Sequence, residues 1–141
     1  MSNKSNEVVI VEGLRTPIGS YNGSLKDLKA DQLGTAVINE ILSKCNIARR
    51  DIDEVIMGQV LIGGTGQNAA RQAAINAGIP VSKPAYIVNQ VCGSGLRAVI
   101  AGFQSIKLGD ANIILSGGQE NMSIASELIL RKNKKNISNK D

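Results

Sequence analysis

Asn89-Gln90-Val91-Cys92-Gly93-Ser94-Gly95-Leu96-Arg97-Ala98-Val99 reads as a strand end, a tight turn that carries a cysteine, and the opening turns of a helix. At such a corner the N–H groups of the first helical turn lack intrahelical partners. The positive end of the helix dipole favours an anion there, so the position suits a thiolate. Gly93, Ser94 and Gly95 would leave the sulfur uncrowded and let a substrate approach the backbone closely. A thiolate attacks thioesters and activated ketones well, and a nearby backbone N–H can help hold the oxyanion that forms. Cys92 is therefore the candidate catalytic nucleophile. A Cys-Gly-Ser-Gly turn by itself is more often the place for a small buried residue, and the turn alone leaves both readings open.

Outward from this corner, strands and helices alternate. Val8-Val9-Ile10-Val11 is a continuous apolar run, as in a strand buried on both faces, so Glu7–Val11 is expected to be the first strand. Leu33, Ala36, Val37, Ile41 and Leu42 recur at helical spacing between about Asp31 and Lys44. Cys45 falls next on that face and reads as an inert core cysteine. Strands are expected over Glu54–Leu61, Pro84–Asn89 and Ala111–Ser116, and helices over Asn68–Asn76 and Gly95–Leu108. The fold class is α/β, a mostly parallel sheet in the order β-α-β-α-β-α-β joined by right-handed crossovers. The helix after Cys92 is unusual: Leu96, Ala98, Val99, Ile100, Ala101, Phe103, Ile106 and Leu108 spread round most of its circumference. Such a helix is buried from several sides, and one four-stranded sheet covers only one side. The sequence asks for a second layer.

The bulk numbers narrow the function. A chain of 141 residues, 43% hydrophobic and 20% charged, is globular and suits one domain. Tryptophan is absent and Phe103, Tyr21 and Tyr86 are the aromatics, so the core is built from Ile, Val, Leu and Ala. Net charge is +4, with Arg131, Lys132, Lys134 and Lys135 in a short run near the C-terminus. No aromatics interleave there for base stacking, so residues 124–141 read as a basic, disordered tail and no nucleic-acid partner is expected. Residues 1–6 form a polar leader; no signal peptide or membrane span is visible, and the expected setting is cytoplasmic, with no membrane partner. Gly63-Gly64-Thr65-Gly66-Gln67-Asn68 lacks the spacing of a phosphate loop and reads as a turn into a helix. Arg15-Thr16-Pro17 is either a turn with an exposed arginine or a feature near a site. Two cysteines make no disulfide framework and no metal spacing. There is no histidine, so these residues cannot supply an imidazole base.

Asn89-x-x-Cys92-Gly93-Ser94-Gly95 resembles the acyl-enzyme motif of the thiolases, the acetyl-CoA acetyltransferase family. Further stretches resemble that family in its own order. They are Arg15-Thr16-Pro17-Ile18-Gly19; Ile56-Met57-Gly58 with Gly66-Gln67-Asn68-x-Ala70-Arg71-Gln72-Ala73-Ala74; Ala77-Gly78-Ile79-Pro80; Leu108-Gly109-Asp110-Ala111; and Gly117-Gly118-x-Glu120-Asn121-Met122-Ser123. The resemblance covers about residues 7–123, the expected domain. It implies one of two similar βαβαβαββ halves packed as alternating layers, with the helix after the nucleophile between the sheets. It implies an acyltransferase in which Cys92 takes the acyl group as a thioester intermediate, so that 3-ketoacyl-CoA is formed or cleaved. A CoA thioester is then the substrate, and no resident cofactor or metal is expected.

The resemblance also implies groups these residues do not contain: a Gly-His-Pro histidine to activate the nucleophile, an Asn-Glu-Ala-Phe segment, and a second cysteine in Cys-x-Gly-Gly. The expectation is therefore a truncated thiolase N-terminal part, inactive alone. The alternatives are one half of a split enzyme, or a non-enzymatic fragment that binds and modulates a full-length thiolase. Expected partners are acyl-CoA if the chain is complemented, and a homodimer mate or full-length thiolase. A ketoacyl synthase also seats a cysteine at a strand–helix corner, but the Gly-Gln-Asn-x-Ala-Arg and Gly-Gly-x-Glu-Asn-Met-Ser stretches favour thiolase.

Overall fold

The computed structural model describes residues 7–127. The expected polar leader and the tail from residue 128 onward lie outside them. The elements in order are α1 (Ala30–Lys44), β1 (Glu54–Gly58), α2 (Ala69–Asn76), β2 (Ala85–Val88), α3 (Ser94–Leu108) and β3 (Ile114–Gly118). Short helical turns at Arg49–Asp51 and Met122–Ile124 complete the set.

The helices form where apolar spacing and end signals agree. α1 carries Asp31 in its first turn and Lys44 in its last, matching the helix dipole. α2 is capped by Asn68, whose Oδ1 accepts from the Arg71 amide at 3.1 Å. All three helices stop in the same way. Asn46, Gly78 and Gly109 take positive φ. The next amides (Ile47, Ile79, Asp110) reach back to the carbonyls of Leu42, Ala74 and Ser105.

The sheet is parallel and three-stranded, in the order β2-β1-β3. Val55 lies opposite Ala85 on one side and Leu115 on the other. Strand alternation divides the side chains between two faces. Val55, Met57 and Leu115 join Ile38 and Leu42 of α1 and Ala70, Ala73 and Ala74 of α2 in a dry core, with Ile52, Ala77 and Ile79 closing its ends. The small alanines of α2 let α1 approach closely, and the Thr35 hydroxyl on α1 lies 3.3 Å from the Ala73 carbonyl. The opposite face, with Ile114 and Ser116, takes α3 through Gly102: a Cβ there would stand 3.2 Å from Ile114 Cγ2 and 3.3 Å from Ser116 Oγ. The sheet therefore lies between α1 and α2 on one side and α3 on the other. A right-handed crossover puts α2 on one face as the chain steps from β1 to β2. It puts α3 on the other as the chain steps back across β1 to β3.

One expected element is not a strand. Residues 7–13 belong to no ladder, and Val9, Ile10 and Val11 are 64%, 82% and 73% exposed. The apolar run signals a strand, but a strand also needs a neighbour. The outer edge of β3 has no ladder partner among the described residues. The next stretch, Glu12–Thr16, lines a cavity of about 250 Å³ together with Leu115–Glu120 and with Leu33, Gly34, Val37 and Ile38 of α1. The segment is tied down instead by the Glu12–Lys44 ion pair at 2.7 Å.

Candidate active site

The three strands run in parallel, so their carboxyl ends meet at one edge of the sheet, and the Cys92 corner lies there between β2 and α3. Glycines bring the entry of α3 down onto that edge. A Cβ on Gly58, the last residue of β1, would stand 2.4 Å from the Ser94 carbonyl carbon and 2.5 Å from the Gly95 amide nitrogen. Gly118, the last residue of β3, faces Gly95, whose Cα would be 3.4 Å from an added Cβ. Gly95 thus serves backbone-on-backbone packing against the ends of β1 and β3. That role was not visible in the sequence, because it depends on which strand ends lie beneath the helix.

Cys92 is exposed and is a free thiol, while Cys45 is half-buried at the end of α1. Cys45, expected as an inert core cysteine on the helix face, is only half-buried because it caps the last turn, its amide donating to the Ile41 carbonyl at 2.9 Å. Just before Cys92 the chain turns through Val91 in the left-handed region, at φ 51°. The Val91 amide donates to Asn89 Oδ1 at 3.1 Å. The Gln90 amide donates to Ser94 Oγ at 2.9 Å, and the Ser94 hydroxyl donates to the Val91 carbonyl at 2.6 Å. Asn89 also reaches across to the carbonyl of Val60 beyond β1, at 3.5 Å.

The loops beside the corner are bound by Gly117–Ser123, a stretch the sequence offered only as a resemblance. Gln119 Nε2 donates to Gln59 Oε1 at 2.9 Å within the protein, and Gln59 in turn donates to the Leu61 carbonyl. Glu120 Oε2 accepts from the amides of Val60 and Leu61. Asn121 Nδ2 reaches the carbonyls of Leu25, Lys26 and Leu28, and Ser123 Oγ accepts from the Asn22 amide. Three loops from distant parts of the chain are thereby fastened at the sheet edge that carries Cys92. The glycine-rich loop is fastened too: Gln72 Nε2 donates to the carbonyls of Thr65 and Gln67, and Arg71 donates to those of Lys83 and Val81. Arg15 and Thr16 line the cavity beside β3, and Cys92 does not, so the structure does not bring these candidates into one pocket.

At the opposite edge, Asp53 accepts from the amides of Asn112 and Ile113 at 2.8 Å and 3.2 Å and pairs with Lys83 at 3.3 Å. Those two amides first, and Lys83 after them, hold its carboxyl below the ordinary aspartate range.

The family model described as "Thiolase, N-terminal domain" matches residues 8–141. The chain belongs to the thiolase family. An acetyl-CoA acetyltransferase of Pseudomonas aeruginosa is 55% identical over 119 residues, which is 84% of this chain and 30% of that protein. The cytosolic acetyl-CoA acetyltransferase of Mus musculus is 48% identical over 128 residues, 91% of this chain and 32% of that protein. An acetyl-CoA acetyltransferase of Allochromatium vinosum is 49% identical over 127 residues, 90% of this chain and 32% of that protein. This thiolase-family chain spans about a third of the length of the curated relatives it matches. Among the described residues, no helix is long and apolar enough to cross a membrane.

Proposed function

We propose that this thiolase N-terminal domain carries the acyl-accepting cysteine of an acetyl-CoA acetyltransferase reaction. The observation behind the reading is Cys92: exposed, at the carboxyl edge of a parallel sheet, at the entry of α3, inside a stretch that resembles that family's acyl-enzyme motif. In the proposed step the Cys92 sulfur attacks the carbonyl carbon of an acyl-CoA thioester. The carbon–sulfur bond to CoA breaks, CoA leaves as its thiol, and the acyl group stays on Cys92. In the forming direction the bound acetyl group then passes to the α-carbon of a second acetyl-CoA, giving acetoacetyl-CoA. In the cleaving direction a 3-ketoacyl-CoA loads the same sulfur.

The 141 residues contain no histidine and no second cysteine in a Cys-x-Gly-Gly setting. General acid–base help is typically worth about 10²–10⁴-fold, and groups that act as a unit fail together. The chain by itself is therefore proposed to turn over no substrate and to need polypeptide from outside these residues, in a cytoplasmic, reducing setting. The test is to incubate the chain with acetyl-CoA, following release of free CoA and the mass of the Cys92 peptide. The expected result is no acetoacetyl-CoA from the chain alone. With the remaining portion of a full-length thiolase supplied in trans, one acetyl group should appear on Cys92 and be lost in Cys92→Ala. Robust turnover by the chain alone, or acetylation that survives Cys92→Ala, overturns the reading.

A second reading is non-enzymatic: the chain docks on a full-length thiolase. The bare outer side of α3 supports it, with Leu96 69%, Phe103 47% and Leu108 77% exposed. Co-purification with a full-length thiolase, lost on Leu96→Ser with Phe103→Ser, would support it. A chain that passes through gel filtration unchanged beside that enzyme removes it.

A further inference from the structure

We infer that Ser94 is the positioning residue of the Cys92 corner: its hydroxyl, bridging the Gln90 amide and the Val91 carbonyl, holds Val91 in the left-handed turn that presents the thiol. The inference deepens the reading of Cys92 as acyl acceptor and rests on it.

Among the described residues, four that are not glycine have positive φ: Asn22, Asn46, Asn68 and Val91. The first three are asparagines, whose short polar side chains suit this region. Val91 is the exception. A β-branched residue at φ 51° is a real outlier, because its Cβ crowds the following carbonyl. Packing does not compensate, since the Val91 side chain is 66% exposed. What holds the turn is the set of hydrogen bonds on the two peptide groups of Val91. Its amide is taken by Asn89 Oδ1 at 3.1 Å, and its carbonyl receives both the Ser94 amide at 3.1 Å and the Ser94 hydroxyl at 2.6 Å. The same hydroxyl accepts the Gln90 amide at 2.9 Å, so one side-chain oxygen ties the Asn89–Gln90 peptide to the Val91–Cys92 peptide and closes the turn across the strained residue. Ser94 is 4% exposed and its backbone is pressed against Gly58. The hydroxyl is therefore fixed to the sheet edge, and through it so is the turn. Strained backbone of this kind persists only where the surroundings over-determine it. Here they do so next to the thiol.

The hold is tested as a double-mutant cycle on the full chain with Ser94→Ala, Val91→Gly and the pair together. Cys92 alkylation by iodoacetamide is read against Cys45 by mass spectrometry, urea unfolding gives the folding constant, and circular dichroism checks the fold. Leaving the Gln90 amide without its acceptor should lower the folding constant about tenfold in Ser94→Ala. Loosening the corner should slow Cys92 alkylation about fivefold. Glycine takes the left-handed region unaided, so in the Val91→Gly background both losses should shrink to about twofold or less. A role for Ser94 in packing alone would give the same losses in either background, and that result overturns the inference. So does a folded Ser94→Ala chain with native alkylation. If Ser94→Ala does not fold, Asn89→Ala, which removes the other hydrogen bond from an exposed side chain, enters the same cycle; additivity there is equally fatal. If Cys92 in the native chain alkylates no faster than Cys45, the nucleophile reading fails, and the folding-constant cycle still decides the hold on the turn.

Discussion

The two faces of the sheet are finished differently. On the α1/α2 face, Leu42 is 2% exposed, Ile38 3%, and Ala70 and Ala73 are fully buried. On the α3 face the contact is made by the smallest residues the helix has: Ser94, Ala98 and Gly102 are its buried positions. The large apolar residues of α3 point away, with Leu96 69% and Phe103 47% exposed. One face is a completed core. The other is a close backbone contact whose outer side is left bare, and it carries the Cys92 corner. The comparison teaches that the corner's geometry comes from glycine and serine contacts with the strand ends, not from a surrounding apolar core.

The largest effect that tests this contrast is a core truncation on the covered face. Leu42→Ala should cost about 3 kcal/mol in urea unfolding, because the cavity lies among residues that cannot collapse fully. A loss near zero would mean that this face is not the core. Next is Gly58→Ala, where the added carbon meets Ser94 backbone instead of a flexible side-chain end. Overpacking of this kind costs about 1–3 kcal/mol, and Cys92 should lose its labelling preference over Cys45 as the entry of α3 is pushed off the sheet. An unchanged labelling ratio would separate the corner from the β1 contact.

A smaller effect is expected at the far edge. Asp53→Asn removes charge-assisted bonds to the Asn112 and Ile113 amides and should cost about 1–2 kcal/mol at neutral pH. The sign of its pH dependence follows from the lowered carboxyl. The folded state binds the proton less readily than the unfolded chain, so this stability is complete above the ordinary aspartate range. It is lost as pH falls through the folded value. Urea midpoints measured from neutral to acid pH should therefore fall less steeply in Asp53→Asn, and parallel curves would remove Asp53 from the acid limb. The smallest effect is Leu96→Ser on the bare face, within about 0.5 kcal/mol because the side chain already stands in water. A loss as large as that of Leu42→Ala would show α3 covered in solution, by a second copy or another partner.

Much of the molecule was legible from residue order. Periodicity and end signals located α1, α2 and α3, and the apolar runs located β1, β2 and β3, because helix spacing, capping and turn chemistry are local. The strand–cysteine–helix corner was legible for the same reason, and the all-round apolar character of α3 correctly signalled a side that one sheet does not cover. The run Val8–Val11 shows the limit. Its composition is that of a buried strand, yet pairing belongs to two strands and not to one, and among the described residues the run joins no ladder. The sequence by itself determined the order of elements from α1 onward, the α/β class and the cysteine's place at a helix entry. Tertiary structure alone decided which strand ends lie beneath that helix, that Gly58 and Gly118 admit it, that Gln119, Glu120 and Asn121 tie the neighbouring loops, and that Val91 is held left-handed beside Cys92. The first three are contacts between residues far apart in the chain, which no local rule specifies; the Val91 turn is closed by its neighbours Asn89 and Ser94, with Ser94 seated on the end of β1.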